Sequence, residues 1–283
     1  MNGPTDSPRP GPAHPWSRDF VRVVTWNIER GLRFPGIVEF LRSIQADLIL
    51  LQEVDLNARR TQYRNVASEL AHALHLNVAF GKEFQELSEG SRSSPAFQGQ
   101  ATLSPWPLSN GKVIRFRDQS NFWKPRWCVP NLGVFQRRTG GRIALVAEAN
   151  IYGRTLVTYN LHLESKGNDA LRLRQLGQVL EDCHRCCDPS MFLIGGDFNL
   201  NAGSGDAAKA LGEAGFHDAA RLSGRPTTPV HGLPHRAEAI DWIFVSDGLD
   251  SRGQVYDCVH ESDHYPVSAT IARSSLSFSS APA

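Results

Sequence analysis

Residues 191–199 read Met191-Phe-Leu-Ile-Gly-Gly-Asp197-Phe-Asn199. An apolar run of strand length ends there in two glycines, a carboxylate and an amide. Asp197 and Asn199 stand two apart on an extended segment, so both side chains point to the same side. The same plan recurs along the chain. Phe20 to Trp26 alternates like a strand and meets Asn27, and the apolar run over 47–51 leads to Gln52 and Glu53. Thr158-Tyr-Asn-Leu leads to His162, and a last stretch precedes Asp263-His264. Asp241 instead opens a strand, Asp-Trp-Ile-Phe-Val. Polar strand ends that lie side by side line a cleft, and clefts are where sites form.

Each of these ends has a plain structural reading when taken alone. Asn27 suits a turn, Gln52-Glu53-Val54-Asp55 a helix or turn start, and Gly-Gly-Asp-Phe-Asn a tight turn. His162 fits a solvent-facing position on an alternating strand, and Asp263-His264 a polar loop. That account needs a separate coincidence for every end. One site that binds a hard cation through oxygen ligands, with two imidazoles and a buried carboxylate, explains them together.

Outward from these ends, short apolar runs alternate with amphipathic stretches. Helical spacing falls at 36–44, after Pro35, which suits a first turn, and at 65–76, 169–187 and 207–213. Further strands are expected at 78–80, 100–104, 112–116, 132–136, 143–151, 155–160, 239–245, 254–256 and 267–271. Many strands and few helices predict two sheets packed face to face with helices outside. Residues 1–18 and 273–283 read as tails around one domain over 19–272.

Composition narrows the classes. With 283 residues and 41% hydrophobic content the chain can bury a sizeable core. A formal net charge of +1 gives no whole-molecule field for a general nucleic-acid binder, although an enzyme needs only a local basic patch. The Pro- and Gly-rich start lacks the apolar core of a secretory signal. No apolar run approaches the ~20 residues that span a bilayer, so a soluble protein without stable membrane insertion is expected. Five cysteines, an odd number, favour a reducing, cytoplasmic compartment. Cys183, Cys186 and Cys187 are read as core-facing thiols of the helix over 169–187, since Leu176, Leu180, Cys183 and Cys187 continue one face. A structural zinc site would want a second ligand cluster, and the sequence pairs none with this one.

Taken in order, Thr25-Trp-Asn27-Ile, Leu51-Gln-Glu53-Val, Asn160-Leu-His162-Leu, Gly196-Asp197-Phe-Asn199, Ile240-Asp241-Trp-Ile and Ser262-Asp263-His264-Tyr-Pro-Val resemble the motifs of the endonuclease/exonuclease/phosphatase superfamily. That superfamily includes pancreatic-type deoxyribonucleases, abasic-site endonucleases, bacterial sphingomyelinases, inositol polyphosphate 5-phosphatases and deadenylases. The resemblance runs over residues 20–272 and implies an α/β fold, a four-layered sandwich of two packed mixed β-sheets flanked by helices. It implies a Mg²⁺-dependent hydrolase, with Mn²⁺ as substitute, that cleaves a phosphate ester, foremost a phosphodiester in the manner of a nuclease. Glu53 would be the main metal ligand, with Asp263 and Asn27 completing or supporting that site. Asp197 would orient or deprotonate the attacking water, Asn199 would hold a phosphate oxygen, and His162 would donate to a non-bridging oxygen. His264 would donate likewise or act as base, and Asp241 would fix its tautomer.

The chain departs from a common family form at Gly99-Gln100-Ala-Thr-Leu-Ser104, where an asparagine usually stands second. Gln100 reaches one methylene further and is read either as a substrate contact or as a strand cap. The inositol phosphatase hallmark is missing at 235–241, and no membrane-inserting aromatic hairpin is evident. Between Lys112 and Arg142 lie eight basic residues against one acid, Asp118, with Phe116, Phe122, Trp123, Trp127 and Phe135 interleaved. Solvated arginines over core aromatics are the simpler reading. A strand-binding patch, with Arg126 as substrate contact, is the functional one. A phospholipid-headgroup or small phosphoester hydrolase of the same superfamily remains an alternative. So do a catalytically dead relative that binds a phosphorylated ligand and a plain interaction module. Nothing in the sequence fixes an oligomeric state.

Overall fold

The computed structural model describes residues 18–124, 135–185, 191–222, 224–229 and 237–276. In chain order the strands and helices are β1 (Phe20–Arg30), α1 (Phe34–Ser43), β2 (Leu48–Leu56), α2 (Val66–Leu74), β3 (Asn77–Glu86), β4 (Ala96–Ser104), β5 (Leu108–Arg115), β6 (Arg138–Gly140), β7 (Ile143–Ile151), β8 (Arg154–His162), α3 (Asp169–Arg185), β9 (Met191–Asp197), α4 (Gly205–Glu213), β10 (Phe216–Asp218), β11 (Asp241–Ser246), β12 (Ser251–Val255), β13 (Val267–Ala272) and α5 (Arg273–Leu276). A seven-stranded sheet has the order β12-β13-β1-β2-β4-β3-β6, and a six-stranded sheet the order β10-β11-β9-β8-β7-β5. Both are mixed, because β1 runs parallel to β2 and β8 parallel to β9 while the other pairs are antiparallel.

Side-chain alternation along the central strands creates the layers. On β1 and β2, Val24, Trp26, Ile49 and Leu51 face α1 and α2, meeting Ile37, Leu41, Val66 and Leu70. Their neighbours Val21, Val23, Leu48 and Leu50 face the other way, into the core between the sheets. On the far side Leu176, Val179 and Leu180 of α3 and Leu211 of α4 close the same apolar cluster. A strand buried on both faces must read as a nearly continuous apolar run, as Leu48–Leu51 does. The four-layered sandwich expected from the sequence is therefore the observed architecture.

Polar side chains also bridge the two sheets. Asn160 of β8 donates to the carbonyls of Leu51 (3.1 Å) and Ala101 (3.0 Å), and its own oxygen accepts from Gln52 (2.8 Å). Gln100 on β4 donates to the carbonyl of Ile143 (3.0 Å) and accepts from the amide of Leu145 (3.2 Å) on β7. All three side chains are fully buried, and apart from Gln52 Oε1 their polar atoms find partners among the described residues, as buried groups must.

The structure corrects several expected boundaries. Residues 78–80 are part of a ten-residue strand, β3. The expected strand over 132–136 is not one where it is described: Phe135 lies in a turn, Gln136 is irregular, and the edge strand is Arg138–Gly140. Residues 132–134 lie outside the described residues. Phe216–Asp218 is a three-residue strand, too short to show a period. Arg273–Leu276, expected as the start of a tail, form a helical turn with Leu276 fully buried. Cys183 faces the core as expected, while Cys186 and Cys187 lie outside the described residues.

The inter-sheet amides give a stability prediction. Asn160→Ala removes partners from two buried carbonyls and an amide, and should lower stability by about 1–3 kcal/mol. Asn160→Asp should cost more, because it sets an acceptor against two carbonyl oxygens. Urea unfolding measures both, and a fully stable aspartate variant would show that the seam contributes nothing.

Candidate active site

Strand register assembles the centre of the site. His162 ends β8 and pairs with Asp197 at the end of β9, and Asp197 pairs in turn with Asp241 at the start of β11. Three side chains far apart in sequence thus stand abreast on neighbouring strands. Gly196 permits this: its φ is +149°, and a Cβ there would lie 2.0 Å from the Leu161 carbonyl oxygen. After Asp197 the chain turns at once, with Asn199 in the left-handed region at φ 51°.

Asp197 is almost fully buried and surrounded by donors. Its Oδ1 accepts from the Asn199 amide (2.9 Å) and its Oδ2 from Asn27 Nδ2 (3.2 Å). The same Oδ2 lies 3.4 Å from His162 Nε2 and 3.9 Å from His264 Nε2. His264 is held from behind, with Nδ1 2.8 Å from Asp241 Oδ2. Thr227 Oγ1 donates to that oxygen at 2.7 Å and accepts from the Asp241 amide. Burial works against a charged ring at His264, but the carboxylates of Asp241 and Asp197 outweigh it and push its pKa up to about 10. Trp26 fixes the backbone at this point, its indole N–H donating to the His264 carbonyl at 2.9 Å.

Glu53 and Asn27 sit where strand pairing slips. The register of β2 against β4 shifts between Leu51 and Val54, and that of β1 against β2 between Asn27 and Arg30. Glu53 itself has φ 54°, a conformation that costs energy in a non-glycine residue and clusters at functional sites. Its Oε2 lies 3.3 Å from Arg30 and 3.3 Å from Gln98. Burial alone would favour the neutral acid, but the guanidinium of Arg30, with those of Arg142 and Arg138, holds Glu53 down at about 2. Asp263 is exposed, with Oδ1 3.2 Å from Ser262 Oγ, whose one proton goes to the Asn27 carbonyl at 2.6 Å. The oxygen donors of Glu53, Asp263 and Asn27 fit a hard divalent cation such as Mg²⁺. Oxygen and nitrogen atoms of Asp197, Asp241 and His264 also lie within 4.8 Å of one another, but there the imidazole–carboxylate hydrogen bond already engages Asp241.

Two residues proposed from sequence as substrate contacts fare differently. Gln100 is a correction: it is fully buried and both ends of its amide are spent on the β7 backbone, so it staples the sheets. Arg126 lies outside the described residues. Asn199 donates its side-chain amide to the Leu163 carbonyl (3.1 Å), which leaves its oxygen as the polar atom that this bond does not use.

Sequence reasoning missed Glu83, Arg142, Arg30 and Thr227. Arg142 Nη1 lies 2.7 Å from Glu83 Oε1 and 2.7 Å from His162 Nε2, deep beside the site. Glu83 belongs to an alternating Phe-Gly-Lys-Glu-Phe segment, and Arg142 follows two glycines, so neither carries a local signal. The strand-end pattern finds residues that point along the strands, not those that close in from the adjoining sheet.

Fold and site together define a centre of one carboxylate between two imidazoles at the edge of an α/β sandwich. The family model described as Endonuclease/Exonuclease/phosphatase family matches residues 24–264. The chain belongs to the endonuclease/exonuclease/phosphatase family, and with it to hydrolases of the phosphoesterase and nuclease type. No curated protein sequence matches it. Among solved structures it resembles the endonuclease/exonuclease/phosphatase from Beutenbergia cavernae DSM 12333, with TM-score 0.65 and 19% identity over 90% of this chain and 72% of that one. A family member from Bacteroides vulgatus gives TM-score 0.64 and 17% identity over 90% and 99% of the two chains. TDP2 of D. rerio, humanized by 14 mutations, gives 0.63 and 18% over 90% and 99%. At such identities the likeness speaks for the fold alone.

The Asp241–His264 contact predicts non-additive kinetics. His264→Ala and Asp241→Asn should each slow turnover of a generic phosphodiester, the first by ~10²-fold or more. The double variant should be little worse than His264→Ala alone, because residues that act as a unit do not add. Multiplying losses would make Asp241 an independent, structural strand-start residue.

Proposed function

We propose that the protein is a divalent-metal-dependent phosphodiesterase of nuclease type. The observation that carries this reading is the crowding of Asn27, His162 and His264 around the buried carboxylate of Asp197. Breaking a P–O ester demands an activated water, charge neutralisation and donors at the oxygens where charge develops. Asp197 accepts hydrogen bonds and orients the attacking water. His264, anchored on Asp241 through Nδ1, turns Nε2 toward the reacting centre and donates to a phosphate oxygen. Asn199 steadies the turn that presents Asp197, through its backbone amide. Glu53 would hold the cation, aided by Asp263 and Asn27, and Mg²⁺ there would supply charge neutralisation.

Among the described residues no helix is long and apolar enough to cross a membrane. Substrate class is the next question, and one screen addresses it. Purified protein with Mg²⁺ or Mn²⁺ should hydrolyse bis-p-nitrophenyl phosphate and at least one of single-stranded DNA, double-stranded DNA, abasic DNA, RNA or a phospholipid. EDTA should abolish turnover and added Mg²⁺ restore it. Glu53→Gln should weaken metal binding and lower activity ~10²-fold or more, with the fold intact by circular dichroism. Full activity in EDTA would refute metal dependence, and binding without turnover on every substrate would favour a catalytically dead relative.

A further inference from the structure

The sequence offers two imidazoles for the site, His162 between two leucines and His264 next to Asp263. Their surroundings make them opposites. His264 has a carboxylate at Nδ1 and an open Nε2 facing Asp197 at 3.9 Å. His162 has Nε2 only 2.7 Å from Arg142 Nη1, and a guanidinium has donors but no acceptor. That contact is a hydrogen bond only if Nε2 is bare, so the ring proton must sit on Nδ1. On that side His162 Nδ1 lies 3.4 Å from Glu83 Oε2. Neither of these two buried atoms has a hydrogen-bond partner among the described residues. A proton on Nδ1, aimed at Glu83, gives each the other.

Arg142 is well placed to enforce this. It is 3% exposed, Nη1 also binds Glu83 Oε1 at 2.7 Å, and Nη2 donates to Ser165 Oγ at 2.8 Å. The guanidinium lies over the Phe84 ring, 5.3 Å from its centroid, so its orientation is fixed by packing as well as by hydrogen bonds. A planar fork with several fixed partners cannot rotate away without stranding a buried charge.

We propose that Arg142 is a positioning residue of the reaction: through Nη1 it holds His162 as the Nδ1-protonated tautomer with Nε2 as acceptor, so that the guanidinium, not an imidazole N–H, supplies the positive charge on this side of the centre. Asp197 is the beneficiary. An N–H on His162 Nε2 would point at Asp197 Oδ2, 3.4 Å away, and tie it up as Asp241 is tied by His264. With Nε2 occupied by Arg142, Asp197 keeps an oxygen lone pair for water.

The catalytic consequence rests on the phosphoesterase reading above, whereas the tautomer does not. Histidine side-chain ¹⁵N–¹H correlation spectra of the full chain at neutral pH test it, with His162 identified as the signal lost in His162→Gln. The expected pattern is a bare Nε2 and a protonated Nδ1. Arg142→Gln should shift His162 toward mixed or doubly protonated forms and lower kcat on the order of 10²-fold. Arg142→Lys, which keeps a charged donor, should retain more of both the signal and the rate. A protonated Nε2 in the wild-type protein overturns the proposal, as does an Arg142→Gln protein whose spectrum and kcat are unchanged. If Arg142→Gln does not fold, the wild-type spectrum decides alone. The expected spectrum without hydrolysis of any substrate would uphold the Arg142–His162 pairing and defeat the phosphoesterase reading.

Discussion

The site depends on a close backbone approach at Gly196. There β9 passes β8 so tightly that a methyl group would collide with the Leu161 carbonyl. Because that approach is allowed, His162, Asp197 and Asp241 fall in one line across three hydrogen-bonded strands. Any bulk at this position would separate β8 from β9 or shift the register, and a one-residue shift turns every side chain to the opposite face. The glycine is thus a condition for the chemistry although it has no chemistry of its own.

A second constraint is electrostatic. Several carboxylates are buried around the site, and burial raises the free energy of each charged form. The structure sets arginines beside them, which brings Glu53 and Glu83 below their usual range, while burial still raises Asp55 and Glu86. Arg142 serves Glu83, Arg30 faces Glu53, and Arg138 reaches Glu86. Arg60 binds Asp55 through two nitrogens, at 2.8 and 2.7 Å, the fork geometry that a carboxylate suits. Local pairing explains how a chain of formal net charge +1 sustains a site this rich in ions. Whole-molecule charge carries no trace of it.

How much of this was legible in the sequence follows from the direction in which each residue acts. Asp197, His162 and Asp241 lie at strand ends, Glu53 at a slip inside β2 and His264 in the loop before β13, and each breaks or borders an apolar stretch, which exposes it. The layered fold was legible for the same reason, since doubly buried strands must be apolar throughout. Arg142, Glu83 and Thr227 reach the site sideways, from an adjoining strand or a loop, through contacts that span 59 residues in the case of Arg142 and Glu83. Periodicity holds no record of such contacts. Gln100 misled because a buried amide that joins two sheets and a substrate-binding amide require the same residue at the same strand position. Only the Ile143 and Leu145 backbone, opposite it in the folded chain, separates the two.

The asymmetry between the two histidines shows why residue type underdetermines role. An imidazole takes its function from whatever holds its second nitrogen. Asp241 and Thr227 behind His264 make it a donor toward the centre, while Arg142 and Glu83 around His162 make it an acceptor. Asp197 lies between them and needs this inequality. Two donors closing on Oδ2, added to Asn27 Nδ2, would leave it no lone pair with which to hold water. With His162 Nε2 occupied, Asn27 is the donor within hydrogen-bond reach of Oδ2, because His264 Nε2 stands 3.9 Å away, and one lone pair stays for water. The chemistry of the centre therefore follows from residues in the layer behind it, and that layer is set by how the two sheets face each other.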